Sequence, residues 1–284
     1  MNNRSRTLIA TLGACVAFGA HAVPVTFSAS GGNAAGIQAT VDAFRTTLGP
    51  LNANVAGSFG SGRREINWDG VPDNLAAPNN LPANFFNVNS PRGVVFSTPG
   101  TGFQVSANAV NPTATPIEFG NLDPTLPGQF AAFSAQRLFT ALGSNITDVS
   151  FFVPGSSTAA TVSGFGAVFT DVDLANLTSI QFFDPFDASL GTFNVPVSGA
   201  GVVANEGFSF LGVAFTTERI GRVRITSGQG PLGNAGIDVV AMDDFIYAEP
   251  IAAVPEPETY SLLLGGLAWL GLMARRARRG APRA

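Results

Sequence analysis

Short runs of apolar residues, separated by turn-forming clusters, dominate the second half of the chain. From about residue 146 these runs are rich in Val, Ile, Phe and Thr, and the clusters between them contain Gly, Pro, Asp or Asn. Such runs are typical of β-strands, and the predicted strands are 146–153, 161–170, 179–183, 191–197, 208–216, 221–226 and 237–247. Because no helical pattern alternates with them, they predict a mainly β fold, an antiparallel, jelly-roll-like β-sandwich.

The first half of the chain, over 23–130, is rich in Asn, Pro and Gly instead. An amphipathic helix is predicted over 34–48, because apolar residues recur at helical spacing and Gly49 ends the run. A loop-rich stretch follows, and two short strands are predicted at 94–97 and 103–107.

We expect 23–250 to form one sandwich that carries the helix and the loops. A separate N-terminal domain is the alternative.

The N-terminus has the pattern of a secretory signal peptide. Two arginines precede an apolar run over 8–19, which predicts a signal helix, and Ala20 and Ala22 form a small-x-small site for signal peptidase. We therefore predict a signal peptide over 1–22. A lipoprotein-type site at Cys15 is the alternative.

The C-terminal segment, 251–284, carries three features in a fixed order. The first is a proline motif made of Val254, Pro255, Glu256 and Pro257. The second is the uncharged run 259–274, which predicts a hydrophobic helix about 24 Å long, against a hydrocarbon core of about 30 Å. The third is a basic cluster, expected to stay on the cytoplasmic side as a membrane stop, made of Arg275, Arg276, Arg278 and Arg279.

This order of motif, span and basic stop resembles the PEP-CTERM sorting tail of exported Gram-negative proteins. The resemblance implies that a membrane-embedded exosortase recognises the proline motif after transient insertion of the tail into the inner membrane. It implies membrane anchoring before processing, and the cell surface or the exopolysaccharide matrix afterwards. The segments GFGAVFTDVD (164–173) and GRREINWDGVPD (62–73) are similar to parts of β-sandwich ectodomains in such proteins, which have no assigned activity. An ordinary C-terminal anchor is the alternative.

Composition removes much of the usual catalytic chemistry from the exported body. The chain has one Cys and one His, both before residue 23, and all 15 basic residues are arginine. A Ser-His-Asp triad, a cysteine nucleophile and a nitrogen or sulfur zinc site are therefore excluded. Seven arginines lie in the two terminal segments and leave eight, while two of the 19 acidic residues lie there and leave 17. The resulting charge near −9 argues against a nucleic-acid partner.

Carboxylates remain, and they are ligands that calcium prefers. Asp171 and Asp173 lie two residues apart at a predicted strand end, so they share a face. Asp244 lies in the last predicted strand beside Asp243, and a similarity to carbohydrate-binding jelly rolls suggests a structural calcium there. An arginine of the strand 221–226 is the other expected partner of this pair. Ordinary turn chemistry is the alternative for the calcium candidates.

Trp68, Asp69 and Asp73 form the candidate glycan-binding site, since an exposed aromatic ring beside carboxylates can hold a sugar. The alternative is that Trp68 fills the side of the sandwich. The sequence thus predicts an exported structural or adhesive protein, with glycan or calcium binding as candidate activities. The alternative function is a secreted carbohydrate-active enzyme that uses paired carboxylates, for which Glu65 and Glu118 are further candidates.

Overall fold

The computed structural model describes residues 23–198, 205–216, 219–234, 236–253 and 257–279. The predicted signal-peptidase site, Ala20 and Ala22, lies outside the described residues. Three residues of the predicted sorting motif also lie outside them, namely Val254, Pro255 and Glu256.

Strands make up most of the described fold. In chain order they are β1 (Val25–Gly31), β2 (Arg63–Ile66), β3 (Val94–Ser97), β4 (Gly102–Val105), β5 (Phe139–Leu142), β6 (Ile146–Phe151), β7 (Ala160–Thr161), β8 (Gly164–Thr170), β9 (Ser179–Phe183), β10 (Ser189–Asn194), β11 (Phe208–Ala214), β12 (Arg222–Thr226), β13 (Ala241–Ala248) and β14 (Ile251–Ala252). The helices are α1 (Ala34–Leu48), α2 (Phe85–Val88) and α3 (Pro257–Arg279).

The strands form two main antiparallel sheets. Within the described residues, the larger sheet has the order β1-β11-β8-β13-β5-β4, and β2 pairs beside β13. The smaller sheet has the order β10-β9-β12-β6-β3, and a separate ribbon joins β14 to β7. A mainly β, antiparallel fold with few helices is thus confirmed, whereas the jelly-roll connectivity stays a prediction.

Aromatic side chains of the two sheets meet in one core between them. Phe96 of β3, in the smaller sheet, lies 5.1 Å from Phe139 of β5, in the larger sheet, measured between ring centroids. Phe151 of β6 and Phe165 of β8 make a similar contact across the sandwich at 6.2 Å. The same core includes apolar residues from the loop-rich first half, such as Leu81. Both halves of the chain therefore supply this core, and burial of its apolar surface is the main source of the stability of the fold.

Sequence patterns located some strands better than others. The predictions 94–97 and 179–183 coincide with β3 and β9, while the single strand predicted over 161–170 is divided into β7 and β8. Strands β1, β2, β5 and β14 were missed. β1 contains Ser, Ala and Gly and lies half exposed at a sheet edge, and β2 is the charge-rich segment RREI, so neither has the composition that marks a strand.

Helix α1 has the predicted bounds because both of its ends are capped. The side chain of Asn33 accepts a hydrogen bond from the N–H of Gly36 at its N-terminus. At its C-terminus, Gly49 adopts φ 100°, a conformation that favours glycine, and donates to the carbonyls of Arg45 and Thr46. The helix lies on the outer face of the larger sheet, against β1 and β11.

Two glycines form a flat floor beneath α1. Gly166 of β8 and Gly212 of β11 are paired in register, and the ring of Phe44 lies over both. A Cβ atom added to Gly212 would lie 2.8 Å from Phe44 Cδ2, and one added to Gly166 would lie 2.9 Å from Phe44 Cε1. The glycine floor therefore lets the helix approach the sheet closely enough to bury Phe44 completely.

Helix α3 covers the predicted hydrophobic helix 259–274 and extends beyond it at both ends. It begins at Pro257. Proline is tolerated at the first helical position because it lacks a backbone N–H, and an N–H at that position would have no partner within the helix. Judged by length and apolarity together, none of the helices in the described residues qualifies as a membrane span, so the predicted transmembrane helix is not confirmed.

We predict that Gly212→Ala destabilises the protein by about 1–3 kcal/mol, because the added methyl group collides with Phe44. Urea unfolding, followed by the fluorescence of buried Trp68, measures the change. Gly32→Ala is the matched control, since a Cβ atom there meets no atom within 4 Å. Adding Phe44→Leu to Gly212→Ala should recover part of the loss, and strict additivity of the two changes would contradict the glycine floor.

Candidate functional site

Trp68 lies inside the sandwich, so the expectation that it forms an exposed sugar platform is wrong. Its side chain is 1% exposed and its ring stacks on Phe139 with centroids 4.1 Å apart. Its indole Nε1 donates to the backbone carbonyl of Asp243 at 3.0 Å. The alternative, that Trp68 fills the side of the sandwich, fits this burial.

Asp69 and Asp73, the other two residues of the predicted glycan site, hold a neighbouring loop in place. Asp69 Oδ1 accepts from the backbone N–H groups of Gln136 at 2.6 Å and Arg137 at 3.2 Å. Asp73 Oδ1 accepts from Arg137 Nη2 at 2.6 Å, and Arg137 is buried. These carboxylates are therefore engaged in internal contacts rather than presented with Trp68 on an open surface.

A bulge in β13 places two consecutive aspartates on one side of the sheet. The register of β13 against β8 shifts between Met242 and Phe245, and both of these residues face the inter-sheet core. The extra residue lets Asp243 and Asp244 both face the outer layer, although consecutive strand residues normally point to opposite faces. Both side chains are buried, at 0% and 3% exposed.

Ser134 joins the two aspartates to a loop of the outer layer. Asp243 Oδ2 accepts from the N–H groups of Phe133 at 2.6 Å and Ser134 at 3.2 Å, and Ser134 Oγ donates to Asp244 Oδ1 at 2.6 Å. Burial and the adjacent charge of Asp244 raise the pKa of Asp243 well above its ordinary value. Burial also raises the pKa of Asp244. The pair thus favours protonation and shares its hydrogen bonds with the loop.

The cationic partner of Asp244 is Arg45 of α1, not an arginine of β12. Arg45 Nη2 lies 3.1 Å from Asp244 Oδ2, and the same guanidinium binds both carboxylate oxygens of Glu65 in β2. Arg222 and Arg224 of β12 pair instead with Asp148 of β6, at 2.7 and 2.8 Å. β12 belongs to the smaller sheet, whereas Asp244 lies on the outer face of the larger sheet, so the expected contact does not form.

A second acidic group lies at one end of the sandwich. Asp171 comes directly after β8, Asp173 lies two residues further along the chain, and Asp238 precedes β13. Asp171 is 4% exposed and has φ 67°, while Asp238 Oδ2 accepts from the N–H of Leu174 at 3.2 Å. Each of the three has a buried Oδ1 atom without a hydrogen-bond partner.

Burial, with the charges of Asp173 and Asp238, raises the pKa of Asp171 to about 7. Burial raises the pKa of Asp173 and of Asp238 in the same direction. Sequence reasoning selected Asp171 and Asp173, gave Asp244 as a separate candidate in the last strand, and missed Asp238. The separation of 65 positions between Asp173 and Asp238 gives no sequence signal that they approach each other. Among the residues described, no group of three or more His, Cys, Asp or Glu side chains is arranged to hold a metal ion.

Glu118 and Glu206 form a third acidic group, in the outer layer. Burial, with the nearby charge of Glu206, raises the pKa of Glu118 to about 7. The N–H of Glu206 bonds to the carbonyl of Gln129, so this pair lies beside the loop that precedes β5. Glu118 is half-buried and Glu206 is exposed. A carboxyl group with a pKa near neutrality can donate a proton, which is the chemistry of a general acid.

The fold delivers the C-terminal segment directly from the sandwich. β14 pairs with β7 in the register Ile251 to Thr161 and Ala252 to Ala160. The N–H of Ala253 donates to the carbonyl of Ala159 at 3.0 Å. The proline motif thus begins immediately after Ala253, a residue that is bonded to the sandwich.

Residues 253–279 match the family described as the PEP-CTERM protein-sorting motif. The chain carries a PEP-CTERM tail. This PEP-CTERM motif includes the four predicted sorting residues and the arginine cluster, and it implies export, processing by an exosortase and a cell-surface location. No curated protein and no solved structure matches the chain.

We predict that Asp171→Asn stabilises the protein at pH 8 and leaves its stability unchanged near pH 3. The folded pKa of Asp171, about 7, exceeds the ordinary 3.8, so the folded state binds more protons between these values and wild-type stability falls as the pH rises through them. Asparagine removes the charge and tolerates a positive φ. Thermal unfolding between pH 3 and 8, in a chelator, measures the difference.

Asp123→Asn is the control for this series. The pKa of Asp123 is lowered by hydrogen bonds from Thr125, so its replacement should not stabilise the protein at pH 8. A parallel pH dependence for wild type and Asp171→Asn would contradict the assignment of charge repulsion to Asp171.

Proposed function

We propose that this protein is a structural component of the cell surface or of the exopolysaccharide matrix, released there after exosortase processing. The observation that carries the proposal is the PEP-CTERM motif at 253–279, which follows the last strand without an intervening domain. The exported body contributes a compact sandwich. Its candidate binding groups, Trp68, Asp69 and Asp73, are used for internal contacts.

The interactions that stabilise the exported body are non-covalent. Without cysteine it contains no disulfide, and it relies on buried apolar contacts together with buried arginine pairs. Arg64 is 0% exposed and pairs with Glu249 at 2.7 Å, while its other nitrogens donate to the carbonyls of Ala53, Gly57 and Pro91. Such fully bonded guanidinium groups fix loops as well as strands.

Calcium binding at the end of the sandwich is a second candidate property. Asp171, Asp173 and Asp238 favour it because each has a buried oxygen without a partner, and an unpaired buried carboxylate is costly. Since no three acidic side chains of the described residues are arranged around one point for a metal, the ion would bind two of these carboxylates with backbone carbonyls or water. Calcium accepts such mixed oxygen ligands. Asp244 is excluded from this proposal by its contacts with Arg45 and Ser134.

A carbohydrate-active enzyme stays the alternative function. Glu65 is paired with Arg45 and Arg63, and Asp69 and Asp73 hold a loop, so the pair Glu118 and Glu206 is the one that favours this alternative. Release of soluble sugar from a matrix polysaccharide, abolished by Glu118→Gln, would support it over a structural role.

We predict that replacing Pro255, Glu256 and Pro257 together by alanine blocks processing. The variant should accumulate as a longer form in the membrane fraction, because the tail is no longer recognised by the exosortase. Immunoblotting of membrane and secreted fractions with an antibody against the exported body measures both length and location. Normal release of this variant would contradict sorting by the motif.

We predict that 5 mM calcium raises the thermal midpoint of wild-type protein, because a ligand that binds the folded state alone stabilises it. The shift should be lost in Asp171→Asn and retained in Asp123→Asn. An unchanged midpoint in wild type would contradict the calcium proposal, and magnesium tests whether the effect requires a large, flexible coordination shell.

A further inference from the structure

The chain is firmly bonded to the rest of the exported body at Glu249, just after β13 and five residues before the sorting motif. Glu249 is 2% exposed and both of its carboxylate oxygens bind Arg64, at 2.7 and 2.8 Å. The N–H of Glu249 donates to the carbonyl of Gly62, and Asn52 donates to its side chain at 2.8 Å. Because this buried pair is bonded from several sides, the chain is held in place up to residue 249.

After this anchor, the chain is held by a much weaker element. The ribbon of β14 and β7 has two residues in each strand, and Ile251 is 40% exposed. Ala252 and Ala253 are exposed as well. A recess of about 270 Å³ lies beside the ribbon and is lined by Ala160 and Ala253. Few apolar contacts and exposed backbone hydrogen bonds are the properties of a segment that opens locally without global unfolding.

Opening this ribbon changes how far the motif lies from the folded body. With the ribbon closed, Ala253 is bonded to Ala159 and the motif starts at the next residue. With it open, residues 251–253, which follow the buried Pro250, become a tether that spans about 10 Å when extended. The body itself, of about 230 residues, has an expected radius of gyration of about 17 Å. A closed ribbon therefore keeps Ala253, the residue before the motif, at the surface of a much larger folded domain.

We propose that the β14–β7 ribbon is a clasp that limits the access of the exosortase to the sorting motif. This inference rests on the proposed processing by an exosortase and adds a condition to it. The enzyme acts on the fraction of molecules in which β14 has separated from β7. The exported body thus regulates its own release through the stability of a two-residue pairing.

The clasp can be locked by a disulfide. The bond from Ala253 to Ala159 makes these two residues a hydrogen-bonded pair, so the adjacent pair Ala252 and Ala160 is of the non-hydrogen-bonded type, with Cα atoms about 4.5 Å apart. That separation lies within the range that a disulfide bridges. The body has no cysteine of its own, so Ala160→Cys with Ala252→Cys creates a single defined crosslink.

The experiment follows the processing of full-length variants in cells that contain the exosortase. The double-cysteine variant should be processed at least about tenfold more slowly than wild type, because a crosslink removes the open population. Reductant should restore the rate, and Ala160→Cys alone should behave as wild type. An insertion of eight Gly and Ser residues between Ala253 and Val254, spanning about 25 Å, should restore processing with the crosslink intact.

A second variant tests the clasp in the opposite direction without changing the tail. Thr161→Pro removes the N–H that faces β14 in the pair with Ile251, so it should open the ribbon and accelerate processing. Thiol labelling establishes that the crosslink has formed, and far-UV circular dichroism establishes that the variants are folded.

Each remaining outcome overturns the clasp. Wild-type rates in both the crosslinked variant and Thr161→Pro would show that processing does not depend on ribbon opening. A crosslinked variant that stays unprocessed despite the insertion would show that distance from the body is not the limit. Failure of the exosortase hypothesis itself is distinguishable, since the alanine variant of Pro255, Glu256 and Pro257 would then be released normally.

Discussion

Asp243 and Asp244 occupy a bulge in β13, a strand that pairs with β8, β5 and β2 in the larger sheet. The bulge turns two adjacent carboxylates toward the outer layer, where burial makes each of them costly unless it is hydrogen-bonded. Ser134 and the backbone of its loop satisfy Asp243, and Arg45 of α1 satisfies Asp244. The loop before β5, helix α1 and strand β2 are thereby fixed to one point of the sheet.

The inner face of the same strand depends on that bulge as well. Met242 and Phe245 both reach the inter-sheet core because the extra residue separates them. The backbone carbonyl of Asp243 accepts from the indole of Trp68, which in turn stacks on Phe139. One irregularity of the backbone therefore organises polar contacts on one face and aromatic packing on the other.

The sequence was informative wherever local rules decide structure. Helix α1 follows from spacing and caps, and β3 and β9 follow from composition, because these features need no knowledge of the rest of the fold. The bulge cannot be read in this way, since DD within a strand predicts opposite faces. The exposed position considered for Trp68 rested on its polar neighbours in sequence, whereas its neighbours in space are aromatic. Asp238 joins Asp171 only through tertiary structure.

The glycine floor beneath α1 has an evolutionary consequence. Neither Gly166 nor Gly212 can gain a side chain while a phenylalanine occupies position 44, since the Cβ atom of either would overlap its ring. Gly212 can therefore vary only when position 44 becomes smaller, whereas Gly166 is also restricted by the backbone of Gly212, which a Cβ atom there would meet at 2.9 Å. Substitutions at 44 and 212 should therefore appear together in homologous chains, as linked changes rather than as independent ones.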